Sequence, residues 1–190
     1  MMYYSASMNT LDESLMNAVK EGKLLESSRT NIRLLLDGTK SPIAREAVEE
    51  LAAAGEWQEL NDRFYKTLAF GTGGLRGRTI GSIVTRAEQG NGGVNGRPEY
   101  PCVGTACMNY FNVGRAMRGL IIYVNKHVEA TDPGRKPRLV IGHDTRHFSR
   151  DFAEFCAKIG TDLGCDIYLF DSPRATPEIS GSFMRIPAWC

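Results

Sequence analysis

Residues Phe70 to Gly77 read FGTGGLRG, with Arg78 and Thr79 directly after them. Four glycines and two arginines within this short run make a poor core segment. They make a better cradle for an oxyanion. Glycine admits positive φ and lets backbone N–H groups close on a ligand, and a guanidinium can grip a phosphate through two parallel hydrogen bonds. The plain structural alternative is a Gly-rich connector between a helix and a strand. Two nucleotide motifs are excluded by spacing. A P-loop needs Lys and then Ser or Thr after its last glycine, whereas Gly77 is followed by Arg78 and Thr79. A dinucleotide fingerprint counted from Gly71 and Gly73 needs glycine where Arg76 stands.

Upstream of this stretch the pattern is helical. Thr10 and Glu13 have capping-box spacing before LDESLMNAVKEG, in which Leu11, Leu15, Ala18 and Val19 share a face and Gly22 is a stop. A second helix is expected over 30–36. A third is expected from Ser41 as cap with Pro42 in its first turn, running to Gly55, and a fourth over 56–68. These helices form an acidic preface, residues 1–60, ahead of a domain expected over 61–190.

Downstream, Thr79 to Thr85 (TIGSIVT) is β-branched and predicts a strand. Residues 86–104 show no periodicity and predict a long loop, of the kind that carries binding segments or is a tolerated insertion. A buried helical stripe follows in Met108, Phe111, Met117, Leu120, Ile121 and Val124. RLVIGHD then predicts a strand buried on both faces, Ser149 the cap of the next helix, and CDIYLFD a further strand. Thr176 and Pro177 open the last helix. Strand, helix, strand, helix, strand in this order predicts an α/β layer fold with a right-handed crossover.

In such folds ligands collect beyond the carboxyl ends of strands, which places HDTRHFS (His143 to Ser149) beside a helix N-terminus that favours anions. Arg146 is a candidate for holding a phosphate oxygen and Asp144 for orienting it; a local ion pair between the two is the structural alternative. His143 and His147 are four apart on a loop, which does not put them on one face, so a metal pair is not expected. Arg174 lies in the third such loop, DSPRATP, whose prolines suit a turn.

Charge is uneven. Residues 1–60 hold six Lys and Arg against ten Asp and Glu, while the remainder holds 17 against 12, and 13 of those 17 are Arg. Arginine suits planar phosphate capture, and the overall net charge of +1 argues against a nucleic-acid or membrane footprint. The five cysteines include no CxxC pair. Cys102 and Cys107 have four residues between them, with no second pair to complete a metal site, so free thiols and a cytoplasmic location are expected. No leader-like or membrane-spanning apolar run is present.

The chain resembles the α-D-phosphohexomutases, the phosphoglucomutases and phosphomannomutases. FGTGGLRG looks like that family's first active-site segment, GHDTRHFS like its D-x-R-x-x-S segment, and CDIYLFDSPRATPE like the strand and TP turn that follow. The match runs in order from about Arg63 to Ser180. The resemblance implies a three-layer αβα mixed sheet, domain I of the family, with an N-terminal helical extension. It implies a reversible phosphoryl shift between sugar 1-phosphate and 6-phosphate through a phosphoserine and a sugar 1,6-bisphosphate, assisted by Mg²⁺. Arg76 and Arg146 would face the phosphoserine, with Thr72, Gly73, Gly74 and Asp144 shaping the phosphate site. The family's serine stands in a TASHNP-like loop, which this sequence lacks, as it lacks the aspartate-rich magnesium loop. A truncated first domain, inactive by itself, is therefore expected; a non-catalytic anion-binding or interaction module derived from it is the alternative.

Overall fold

Apolar residues at helical spacing, each worth roughly 1.5–3 kcal/mol when fully buried, organise the first half of the chain. The computed structural model describes residues 3–71, 74–92 and 96–182, and these divide into two compact units, 1–112 and 113–190. In the first, α1 (Tyr3–Lys20), α2 (Glu26–Gly38), α3 (Pro42–Ala53) and α4 (Trp57–Phe64) pack around Leu15, Ile32, Leu35, Val48, Leu51, Leu60 and Phe64. Val103 closes the same core, so the helical preface packs together with later residues of the unit.

Local signals placed most of these helices. Pro42 sits in the first turn of α3 after Ser41, although the Ser41 side chain makes no cap hydrogen bond. Gly22 and Gly55 follow helix ends at positive φ, 71° and 73°. The capping box expected at Thr10 does not form at a helix start, because α1 already begins at Tyr3. With no breaker in residues 3–9, the helix propagates back through Thr10. A capping box forms instead at Thr85 and Glu88, opening the short α5 (Arg86–Gln89) inside the region expected to be plain loop.

The strand expected over Thr79–Thr85 is absent. Its backbone groups are taken by other partners: Thr79 O accepts from Cys102 N at 2.8 Å, and Ile83 O accepts from the Arg63 guanidinium. β-Propensity describes fit to a pleated, half-buried surface, and among the described residues no neighbouring strand supplies one here.

The unit boundary falls in the first turn of the long α6 (Tyr110–Thr131). The second unit is built on β1 (Arg138–Ile141), α7 (Ser149–Asp162) and β2 (Asp166–Leu169), with α8 (Thr176–Ser182) after them. β1 and β2 pair in parallel, Arg138 opposite Asp166 through Ile141 opposite Leu169. Met117, Ile121, Ile159 and Cys165 form the core, with Leu139, Ile141 and Ile167 packed on it. The residues of β1 are half-buried, not buried on both faces as expected. The α/β class is borne out, and the sheet among the described residues consists of these two strands.

Candidate anion-binding site

The glycine stretch forms its own small turn. Gly71 and Gly74 exchange backbone hydrogen bonds, N to O at 3.1 and 3.2 Å, and Gly74 holds φ at 111°, a conformation that favours glycine. Thr72 and Gly73 lie outside the described residues. Beyond the turn the chain runs along an open cleft of about 690 Å³, whose cationic lining is Lys66, Arg76 and Arg78. Arg76 is exposed there, and Arg78 is half-buried. Gly77 is held by close packing: a Cβ at this position would meet Ala106 O at 2.9 Å and Met108 N at 3.0 Å.

What fixes this edge of the cleft is a buried ionic cluster that sequence reasoning missed. Arg63 is fully buried and donates from Nε to Glu59 Oε1 at 2.7 Å, from Nη1 to Glu88 Oε1 at 2.6 Å, and from Nη1 to Val103 O at 3.3 Å. Burial alone would lower its pKa, but the neighbouring carboxylates outweigh this and hold it above the ordinary arginine value. Glu59 is shared, since Arg78 Nη2 stands 3.1 Å from the same Oε1 in charge contact. The signals were present as Glu59 and Arg63 four apart on a helix and as the Thr85–Glu88 box, but such spacings do not report burial.

Two asparagines, Asn109 and Asn112, complete the support. Asn109 Nδ2 donates to Cys102 O and Gly104 O at 2.9 and 2.8 Å, and Asn112 Nδ2 to Thr105 O and Cys107 O at 3.0 and 2.8 Å. The segment 102–107 is thus pinned by its carbonyls. It in turn carries the glycine stretch through Cys102 N to Thr79 O, 2.8 Å, and Met108 N to Arg78 O, 3.0 Å.

In the second unit, the loop after β1 has a register that differs from the one expected. Phe148, not Ser149, is the N-cap of α7, at φ 66° in the left-handed region, and its ring is buried and stacks on Phe152 with centroids 6.0 Å apart. Burial of this aromatic side chain outweighs a conformation unfavourable to any residue with a Cβ. Ser149 Oγ is thereby freed to accept from Asp144 N at 3.1 Å.

Asp144 and Arg146 come together as the ion pair. Asp144 Oδ1 accepts from Arg146 N at 3.1 Å, and Oδ2 from Arg146 Nε at 2.6 Å. Partial burial pushes the Asp144 carboxyl up, but hydrogen bonds with Ser149 and Arg146 prevail and hold it below the ordinary aspartate value. The Arg146 side chain is 85% exposed, so the pair orients the guanidinium without withdrawing it from a ligand. Arg174 is engaged locally, with Nε 3.1 Å from Glu178 Oε1 and its guanidinium over the Phe170 ring. Arg76 belongs to the first unit and Asp144 and Arg146 to the second.

Among the described residues no group of three or more His, Cys, Asp and Glu is placed to hold a metal ion, and no helix is long and apolar enough to cross a membrane. Residues 67–186 match the family model "Phosphoglucomutase/phosphomannomutase, alpha/beta/alpha domain I". The chain is 29% identical over 123 residues to a phosphoglucomutase of Staphylococcus epidermidis, a match covering 65% of this chain and 17% of that protein. It is also 29% identical over 122 residues to a phosphoglucomutase of Staphylococcus aureus, covering 64% and 17%. No solved structure matches it significantly. Both arginine-bearing loops fall inside the matched region, and the chain belongs to the phosphoglucomutase/phosphomannomutase family, of which it carries domain I.

Proposed function

We propose that this chain supplies the phosphate-gripping first domain of a phosphohexomutase, a three-layer αβα unit preceded by a helical extension. In this reading Arg76 and Arg146 each present a guanidinium to the phosphoryl group of an active-site phosphoserine. Transfer of a phosphoryl group between sugar oxygens depends on positioning and on neutralising charge, so fixed arginines lower the barrier without reacting themselves. Thr72, Gly73 and Gly74 shape the loop around the phosphate, and Asp144 aims Arg146. The observation that carries the reading is the exposed state of both arginines on loops that the family model covers, with Arg146 held by Asp144.

The sequence holds no TASHNP-like serine loop. The 190 residues alone therefore bind sugar phosphate and do not turn it over. Among the described residues no set of carboxylates is placed to hold the Mg²⁺ expected for the family. A cytoplasmic location belongs to the same reading. The alternative reading is a non-catalytic anion-binding module that keeps the domain for its grip.

Calorimetric titration with glucose 1,6-bisphosphate tests the site. Each charge-assisted hydrogen bond contributes about 1.5–3 kcal/mol, so Arg76→Ala and Arg146→Ala should each weaken binding by roughly ten- to a hundredfold. Binding unchanged by both substitutions would refute the assigned roles. Turnover by the chain alone, in a coupled assay with glucose 1-phosphate, the bisphosphate and Mg²⁺, would refute the incomplete-site reading.

A further inference from the structure

Cys102 and Cys107 bring their sulfurs to 3.2 Å, both buried and both reduced. The approach is imposed by the chain around them. The carbonyls of Cys102, Gly104, Thr105 and Cys107 are held by Asn109 and Asn112, so the short loop between the thiols has little freedom to separate them. A disulfide needs the sulfurs near 2.05 Å, a closure of roughly 1 Å from where they stand.

The surroundings favour chemistry at one sulfur. The hydrogen bond shared with the Cys102 sulfur favours ionisation of Cys107, and although burial opposes it, the Arg63 and Arg78 charges assist, so the Cys107 thiol pKa is lowered. The same shared hydrogen bond and burial raise the Cys102 thiol. A thiolate next to a resolving thiol is the arrangement that yields a disulfide on oxidation. By contrast burial pushes Cys156 up to about 11, and Cys165 is raised as well. Ala106, the neighbour of Cys107, lines the cleft beside half-buried Arg78.

We propose that Cys102 and Cys107 are a reversible thiol modification site, oxidised to a disulfide by hydrogen peroxide and reopened by a small dithiol. Cys107 first releases its proton; the thiolate attacks one peroxide oxygen, the O–O bond breaks, and the departing hydroxide takes up the released proton and leaves as water. Cys102 sulfur then attacks the sulfenic sulfur, the S–O bond breaks, and hydroxide leaves with the Cys102 proton as a second water. Two thiols and one peroxide thus give one disulfide and two waters.

Closure acts on the glycine stretch. Cys102 N and Met108 N, at the two ends of the cysteine loop, hold Thr79 O and Arg78 O, and Gly77 packs on the backbone of Ala106 to Met108. Drawing the sulfurs together shifts these anchors and loosens the Arg76–Arg78 edge. This consequence follows from the loop geometry and stands apart from the phosphoryl-transfer reading.

The test treats the 190-residue chain with limiting hydrogen peroxide, denatures and alkylates it, and maps peptides without reduction. Both cysteines fall in the single tryptic peptide between Arg86 and Arg115. The expected product is that peptide unalkylated and lighter by two hydrogens, restored by dithiothreitol. Alkylation of both cysteines after peroxide, or oxidation of Cys156 or Cys165 first, overturns the proposal. Amide exchange at Cys102 and Met108 should rise at least about tenfold on oxidation, and peroxide should cause no such rise in Cys102→Ser. Equal exchange in the oxidised and reduced wild-type chain overturns the coupling to the glycine stretch. Because the wild-type chain is compared with itself, the result does not depend on the variant folding.

Discussion

Replacing Arg63 with methionine keeps an aliphatic stem in the core and removes the guanidinium that joins four parts of the first unit. Glu59 loses a 2.7 Å bond, Glu88 a 2.6 Å bond, and the carbonyls of Val103 and Ile83 lose a donor. The two carboxylates are not wholly orphaned. Glu88 still accepts from Thr85 N and Val103 N at 3.0 and 2.7 Å, and Glu59 still faces Arg78. Breaking one side of a buried ion pair costs about 3–5 kcal/mol, and these remaining donors place Arg63→Met near the low end, at about 3 kcal/mol. Domain stabilities run about 5–15 kcal/mol, so the loss is a large share of the total. Urea unfolding followed by circular dichroism reads it directly. Arg63→Lys should recover less than about half, because an ammonium cannot fork to several acceptors. A loss below about 1 kcal/mol for Arg63→Met, the worth of a surface pair, would refute the claim that this cluster holds the cleft edge.

Gly77→Ala should weaken sugar-bisphosphate binding and destabilise by about 1–3 kcal/mol, since the added Cβ meets the Ala106 and Met108 backbone, which cannot swing aside; calorimetry and thermal melting check it. Phe148→Ala should cost about 3–5 kcal/mol despite the strained φ of 66°, because the buried ring stacks on Phe152; a stabilised variant in urea titration would refute this. The Asp144 carboxyl should titrate below the ordinary aspartate value by NMR, and Ser149→Ala should raise it. Its folded pKa is depressed, so its contribution is present above the unfolded aspartate pKa and lost as pH falls through the folded one. The pair is exposed enough to keep that contribution under about 1 kcal/mol.

Much of the scaffold was legible because its causes are local. Gly22, Gly55 and Pro42 mark helix ends through backbone geometry that no distant contact has to supply. The strands around Leu139 and Ile167 announce themselves by short apolar runs between turn residues. Errors arose where a distant partner overrode a local preference. Thr79–Thr85 has strand composition, but Arg63 and Cys102 claim its backbone groups. Ser149 has cap composition, but burying Phe148 moved the cap one residue earlier.

The sequence by itself determined the α/β class, the family and the arginine-bearing stretches, because glycine spacing and motif order are written along the chain. Only the tertiary structure decided what holds those stretches in place. Glu59, Arg63 and Glu88 look like ordinary surface charges until the packed first unit encloses them. Cys102 and Cys107 look like unrelated thiols until Asn109 and Asn112 fold the loop that sets their sulfurs 3.2 Å apart. Burial and proximity are properties of the packed chain, and they turn such residues from solvated side chains into a framework for the glycine stretch.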